Sequence, residues 1–330
     1  MDTAFSCDRC VLRCTGSPIG LTGRCGVVEV YSDRTKDKYP WMIADVSVSV
    51  IEKIPLYHYK PGSWVINLWV PGCPYNCRQC PWNASTMGED VGKLYELSKI
   101  TLSDLMDYME SAKADLINIT GGEPLILNWI YELIKQLHEN NIVVTLKSTL
   151  TVPESSLKRL HNIGAILVDI PFLSGFTPNI KYIVRKTRYL QKRGMHVEVQ
   201  LSIGSNVAYI LKSIDEHLQE LDRETPIHIA FTEPLPEKTM MKIIEHVHTN
   251  GFVYVYVKDD PSGEYSTTYC PSCGKPVVLR DIYGVRKIIL KNNKCPSCGI
   301  PIKIIGAEHY RKQREISRLF AAGDRIWKIR

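Results

Sequence analysis

The sequence predicts an α/β protein built on a parallel sheet with its helices outside, and three observations carry that prediction. From residue 64 to 257, Val- and Ile-rich segments of strand length alternate with helical patterns, one unit about every 30 residues. The helix boundaries are well marked: Thr177 and Pro178 open one pattern and Gly194 closes it, and Pro236 and Gly251 bracket the last in the same way. The composition, 44% hydrophobic and 23% charged over 330 residues, supplies a large core and gives no sign of disorder. Such a series closes into a full or partial β/α barrel or lies open as a doubly wound sheet.

The strands are predicted at 64–70, 115–120, 142–147, 164–170, 195–203, 226–231 and 252–257. Helices are predicted near 101–113, 126–140, 153–162, 178–193, 205–221 and 236–250. Ahead of this barrel region (63–257) stands a segment, 1–62, holding four cysteines and a connector. Its strands are expected at 27–31 and 46–51, the second from the alternation Val46-Ser47-Val48-Ser49-Val50. His58, in the run that follows, reads as a packed histidine without a chemical role. Residues 258–305 form a separate small unit. The tail, 306–330, has seven Lys or Arg and three Asp or Glu, so it supplies +4 of the net +6. It reads as a solvated amphipathic helix packing Ile316, Leu319, Phe320 and Ile326, with nucleic acid or an acidic partner as the other reading. No apolar run approaches the ~20 residues of a membrane span, and the N-terminus lacks the pattern of a signal peptide. The expectation is a cytoplasmic protein that uses no membrane.

Eleven cysteines are many for a cytosolic chain, where disulfides are rare. They divide into groups of four, three and four. Cys7, Cys10, Cys14 and Cys25 lie in a Gly-rich segment too poor in apolar residues to fold alone, so a metal is expected to hold it. Zinc and an auxiliary iron–sulfur cluster both accept four thiolates, and the spacing leaves both open. Cys270, Cys273, Cys295 and Cys298 form two Cys-Pro-Ser-Cys-Gly knuckles, a zinc-ribbon pattern with a hairpin over 276–290 between them.

Cys73, Cys77 and Cys80 have C-x3-C-x2-C spacing. Three thiolates hold three irons of a [4Fe-4S] cluster and leave the fourth open to a small molecule, and no further Cys lies between Cys25 and Cys270 to close it. The three follow the first barrel strand. Gly121-Gly122-Glu123-Pro124 follows the second, Ser148 and Thr149 the third, and Asp169 ends the fourth. In a parallel barrel all of these meet at the carboxyl end of the strands, where sites are built. No G-x-G-x-x-G or G-K-[ST] follows a strand, which argues against nucleotide hydrolysis and hydride transfer.

The cysteine trio joined to Gly-Gly-Glu-Pro after the next strand resembles the radical S-adenosylmethionine (SAM) superfamily. Ile51-Glu52-Lys53-Ile54-Pro55-Leu56-Tyr57-His58-Tyr59, the leading tetrad and the terminal Cys pairs narrow this. They look like the radical SAM component of the AmmeMemoRadiSam system, a relative of the enzymes that activate pyruvate formate-lyase. The resemblance implies a partial radical SAM barrel and a cluster that cleaves SAM reductively to methionine and a 5′-deoxyadenosyl radical. It places SAM against Gln79, Gly121, Gly122, Glu123, Ser148, Asp169 and Ser202, with the Gly-Gly turn and the Glu123 carboxylate near the methionine ammonium. It also implies an electron donor of ferredoxin or flavodoxin type and protein partners from the same set.

The chain departs from that pattern at three places. Gln79 stands where an aromatic residue is usual, with Trp82 as a nearby ring. Asp169-Ile170-Pro171 lacks the lysine of Asp-x-Lys, and Thr232-Glu233-Pro234 lacks a histidine. These departures weigh against a glycyl-radical activase. Gln200, Ser202, His228 and Glu233 are the residues expected to face a substrate. The sequence thus reads as a radical SAM enzyme, of oxidoreductase or activase type, with its substrate open. The alternatives are a glycyl-radical activase, an RNA- or peptide-modifying radical SAM enzyme, and a non-catalytic metal-binding scaffold.

Overall fold

The computed structural model describes residues 5–75, 77, 80, 91–94, 96–173 and 179–310. The strands are β1 (Leu21–Thr22), β2 (Val28–Val30), β3 (Thr35–Asp37), β4 (Met42–Ile43), β5 (Asp45–Val50), β6 (Trp64–Val70), β7 (Ser98–Lys99) and β8 (Leu116–Gly121). They continue with β9 (Val143–Ser148), β10 (Ala165–Phe172), β11 (His196–Ile203), β12 (Ile227–Phe231), β13 (Val255–Val257), β14 (Thr268–Tyr269), β15 (Pro276–Asp281) and β16 (Gly284–Ile288). The helices are α1 (Val91–Leu94), α2 (Leu102–Ala112), α3 (Asn128–Glu139), α4 (Glu154–Lys158), α5 (Ile180–Lys192), α6 (Val207–His217) and α7 (Glu237–Thr249).

Eight strands form one sheet in the order β13-β12-β11-β10-β9-β8-β6-β5, parallel throughout except that β5 runs antiparallel to β6. The parallel strands follow chain order without reversal. Every crossover therefore steps the same way, and right-handed crossovers put all the helices on one face. A doubly wound sheet needs a reversal, so that expectation is set aside. The inner face is enclosed by curling: Lys53 Nζ, just past β5, reaches Asp259 Oδ1, just past β13, at 2.8 Å. No ladder joins β5 to β13 among the described residues, so the sheet is curled and open, and of the expected alternatives the full barrel is not formed.

Strand alternation sorts the side chains. On β11, Val197, Val199, Leu201 and Ile203 join the main core with Leu133, Ile183, Ile214 and Val247 of the helices. Their neighbours His196, Glu198, Gln200 and Ser202 therefore point inward. The amino-terminal end of the interior is plugged by the segment after β5. There Ile51, Ile54, Leu56 and Tyr59 pack on Val65, Leu116, Ala165 and Leu167. A third apolar cluster joins Tyr57, Tyr254 and Tyr256 to Val277, Val278, Ile302 and Ile304 of the C-terminal hairpin unit.

Helix ends follow local chemistry. Thr101 and Asp104 cap α2 reciprocally, at 3.2 and 2.9 Å. The start of α5 differs from expectation. Asn179 is its cap, accepting from Tyr182 N at 3.1 Å, while Thr177 and Pro178 lie outside the described residues. Pro236 is the N-cap of α7 and not its first residue. The helix expected over 153–162 is only α4, ending where the Arg159 amide turns back onto Ser156 and Leu157. The strand expected at 252–257 is hydrogen-bonded as β13 over 255–257 alone. Of the expected tail helix, residues 311–330, with Ile316, Leu319, Phe320 and Ile326, lie outside the described residues.

Candidate active site at the carboxyl end of the sheet

Cys73 lies three residues past β6, with Cys77 and Cys80 following; the Cys80 amide donates to the Cys77 carbonyl at 3.0 Å, and Cys73 Sγ accepts from the Tyr75 amide. Burial holds the Cys73 thiol well above its ordinary range and pushes Cys77 up to about 12. Left alone, both stay protonated; an iron that takes the thiolate displaces that proton.

The turn after β8 is fastened to this loop backbone to backbone. Gly122 N donates to Val70 O and Glu123 N to Gly72 O, each at 2.8 Å. A Cβ at Gly122 would lie 1.9 Å from the Gly72 carbonyl oxygen. The glycine is thus required by the approach of the cysteine loop itself.

Glu123 departs from expectation. It is fully buried and its carboxylate is occupied within the protein. Oε1 accepts from Ser148 Oγ at 2.6 Å and Leu125 N at 3.3 Å, and Oε2 from Thr149 N at 2.8 Å and Thr149 Oγ1 at 2.5 Å. Burial raises its pKa, and these four donors act against that rise. Glu123 therefore pins the β8 turn to the β9 turn. All four bonds are directed into the protein, and Glu123 is not in the wall of the cavity described below.

Above the apolar plug, polar residues cross the interior in register. Asn67 on β6 pairs with Asn118 on β8, which pairs with Thr145 on β9. Asn67 donates to Ser49 Oγ at 2.9 Å, Asn118 to Asn67 Oδ1 at 3.1 Å, and Thr145 to Asn118 Oδ1 at 3.1 Å. One level higher, Lys147 Nζ meets Asp169 Oδ2 at 2.9 Å, and Ser202 Oγ donates to Asp169 Oδ1 at 2.7 Å. Gln200 Nε2 donates to Ser202 Oγ at 2.8 Å, while its Oε1 is buried without a partner.

These groups share a cavity of about 780 Å³, the size of a small-molecule site. Its wall holds Cys73, Cys77, Cys80, Gly121, Gly122, Ser148, Lys147, Asp169, Gln200 and Ser202. The expected contacts Gly121, Gly122, Ser148, Asp169 and Ser202 are therefore gathered, Glu123 is not, and Gln79 and Trp82 lie outside the described residues. Lys147 was missed. Its signal was a lysine inside the strand Val143-Val144-Thr145-Leu146-Lys147-Ser148, on the inward face two residues from Thr145.

His228 also departs from expectation, because it is fully buried in a network below the cavity. Glu198 accepts from His228 Nε2 at 2.7 Å, His196 Nε2 at 3.0 Å, and the amides of Tyr57 and His58 at 3.0 and 2.8 Å. His58 bridges Tyr256 Oη at 2.7 Å and the Lys303 carbonyl at 2.9 Å, and burial lowers its pKa to about 4. Arg280 donates to the Tyr57 carbonyl at 2.7 Å. Glu233 is not in the cavity wall.

At the C-terminus, Cys270, Cys273, Cys295 and Cys298 bring all four sulfurs within 4.8 Å of one another, with Cys270–Cys298 at 3.4 Å and Cys273–Cys295 at 3.7 Å. It is the one such group among the described residues, and Cys7, Cys10, Cys14 and Cys25 do not form one.

Residues 61–187 match a family model described as a 4Fe-4S single cluster domain. The matched segment, less than half of the chain, is similar to such a domain. It holds the cysteine trio, the Gly-Gly turn, Lys147 and Asp169. The uncharacterized protein MJ0808 of Methanocaldococcus jannaschii is 25% identical over 268 residues, 75% of this chain and 79% of its own length. Two crystal structures of Streptococcus suis SuiB overlay with a TM-score of 0.40. They share 13% and 12% identity with 60% of this chain, and the second is bound to S-adenosylmethionine. The chain spans about half the length of those structures, 48% and 51%, and an overlay at this level carries no functional argument. Among the described residues no helix is long and apolar enough to cross a membrane.

Proposed function

We propose that this chain is a radical SAM enzyme whose iron–sulfur domain holds a [4Fe-4S] cluster on Cys73, Cys77 and Cys80 and binds SAM at the iron they leave open. One observation supports this best. The cysteine loop and the Gly-Gly turn are bonded backbone to backbone at the edge of one cavity that also displays a cation–carboxylate pair. A zinc or structural cluster site does not need that cavity.

The residues present fit the cofactor. Three cavity-facing thiols supply the cluster ligands, and the unpartnered Gln200 Oε1 is an acceptor that a polar ligand would satisfy. When bound and reduced, the cluster held by Cys73, Cys77 and Cys80 would supply the electron for reductive cleavage of SAM. The protein binds and orients. Carbonyls of the 121–122 turn would accept from the methionine ammonium. Lys147, steadied by Asp169, provides the cation that Pro171 cannot, taking the place of the lysine in Asp-x-Lys. The apolar plug closes the cavity floor against water.

The electron comes from a ferredoxin- or flavodoxin-type protein. The C-terminal tetrad binds zinc, because four thiolates on one tetrahedral ion at about 2.3 Å stand about 3.8 Å apart, near the 3.4 and 3.7 Å seen. An activase acting on a protein glycine is disfavoured by Thr232-Glu233-Pro234, which lacks the histidine of that pattern. Anaerobically reconstituted and reduced protein is expected to release 5′-deoxyadenosine from SAM, and the Cys73/Cys77/Cys80→Ala variant to release none. Release by that variant, or a cluster whose EPR spectrum ignores SAM, would sink the assignment.

A further inference from the structure

The three cysteine groups differ in how closely they gather. Four thiolates on one zinc ion must crowd together, and the C-terminal tetrad does so. In a four-iron cube each thiolate bonds its own iron, so the sulfurs stand farther apart. Cys73, Cys77 and Cys80 are of this wider kind: they form no group within 4.8 Å, although Cys73 lies within electrostatic reach of both partners. Cys7, Cys10, Cys14 and Cys25 behave in the same way. No three of their sulfurs come within 4.8 Å of one another, yet Cys10 is in electrostatic reach of Cys7 and Cys14, and Cys25 of Cys10 and Cys7.

All four sulfurs are already supplied with amide donors. Cys7 accepts from Arg9, Cys10 from Leu12 and Arg13, Cys25 from Val27 and Val28, and Cys14 from Arg24 at 3.5 Å. Burial raises the Cys7, Cys10 and Cys25 thiols, and these amides act against that rise, as donors to a metal-bound thiolate would. Three of the four are buried beneath the segment they organise.

The segment also adjoins the central site. The Cys25 carbonyl and Val27 close over Gly72, where a Cβ would lie 2.9 Å from that oxygen and 2.3 Å from Val27 Cγ2. Buried Tyr75 is within electrostatic reach of Cys73 and Cys77 and also of Cys10. Arg9 donates to the Ile126 carbonyl at 3.1 Å and Val11 to the Thr151 carbonyl at 3.0 Å, which fixes the segment on the loops after β8 and β9.

We propose that Cys7, Cys10, Cys14 and Cys25 hold a second [4Fe-4S] cluster, packed beside the first with Tyr75 near both, and that electrons reach the central cluster through it. A one-electron donor of ferredoxin or flavodoxin type takes the second cluster from its 2+ to its 1+ state. Transfer returns it to 2+ and takes the central cluster from 2+ to 1+. One electron moves and no proton does. The relay rests on the central cluster proposed above; the second cluster itself does not.

Metal and sulfide analysis of the anaerobically reconstituted full-length chain tests this. The wild type is expected to carry roughly eight irons and one zinc, and Cys10→Ser/Cys14→Ser roughly four irons and one zinc. Cys73→Ala/Cys77→Ala/Cys80→Ala is expected to keep roughly four irons, so the two sites fail separately. Two zinc and four irons in the wild type would overturn the second cluster without touching the first, even if the N-terminal variant does not fold. For the relay, the N-terminal variant is expected to release 5′-deoxyadenosine at the wild-type rate with dithionite. With a flavodoxin and its reductase the rate is expected to fall at least tenfold. Equal rates with both reductants would overturn the relay.

Discussion

Glu123 shows how one residue type can serve two ends. In the sequence it is a carboxylate at a strand end beside an open iron; in the fold it accepts four hydrogen bonds and is closed to the cavity. Among the charges that do face the cavity is Lys147, held by Asp169 at 2.9 Å. The proposed site makes Lys147 a ligand contact. Lys147→Ala is expected to weaken SAM binding about tenfold, ~1.4 kcal/mol, with iron content unchanged. Calorimetric titration against the reconstituted protein reads this, and an unaltered affinity would remove Lys147 from the site. Asp169 was legible as a strand-end carboxylate. Lys147 was not, because the sequence shows that a lysine interrupts an apolar strand but not which neighbour it meets.

At the scale of elements, the site depends on how two loops meet. β6 and β8 are neighbours in register from Val65–Leu116 to Val70–Gly121, so the residues just past each strand face one another. Gly122 lies where the Gly72 carbonyl needs the room. Gly122→Ala is expected to push the cysteine loop away and reduce bound iron by more than half, measured as iron per chain. Full iron retention would show that the loop yields at no cost. The presence of two glycines was plain in the sequence, and a close approach could be expected from them. That the partner is the cysteine loop, and not only a ligand, needed the parallel register.

The whole molecule adds a floor that motif reading does not assign. Ile51–Tyr59 closes the amino end of the curled sheet and is fastened to both β11 and the C-terminal unit through Glu198, His58, Tyr256 and Arg280. His58 is neutral here. Burial depresses its pKa to about 4 from 6.5, with Glu198 opposing. The unfolded chain then binds the extra proton between those values, so stability is complete above pH about 6.5 and is lost as pH falls towards 4. The loss is on the order of 3 kcal/mol. Glu198, also lowered in the fold, adds loss in the same direction as it protonates. The urea midpoint of the wild type should therefore drop between pH 7.5 and 5, and that of His58→Gln should drop less. Parallel decreases would place the acid sensitivity elsewhere.

By itself the sequence determined what repeats or is counted locally. Strand–helix alternation, the four–three–four division of the cysteines and the position of chemistry at strand ends all follow from nearest-neighbour patterns, and β6 falls on its predicted residues, 64–70. Tertiary structure decided what depends on partners remote in the chain. Unreversed strand order excludes the doubly wound sheet, and register sets Lys147 beside Asp169 and turns Glu123 inward. His228 pairs in register with Gln200, a cavity residue, but its ring bonds Glu198 below, and that partner takes it into the floor. The two-residue period of a strand can be read from sequence. The height of a side chain within a curled sheet cannot, because it is fixed by the strand that lies alongside.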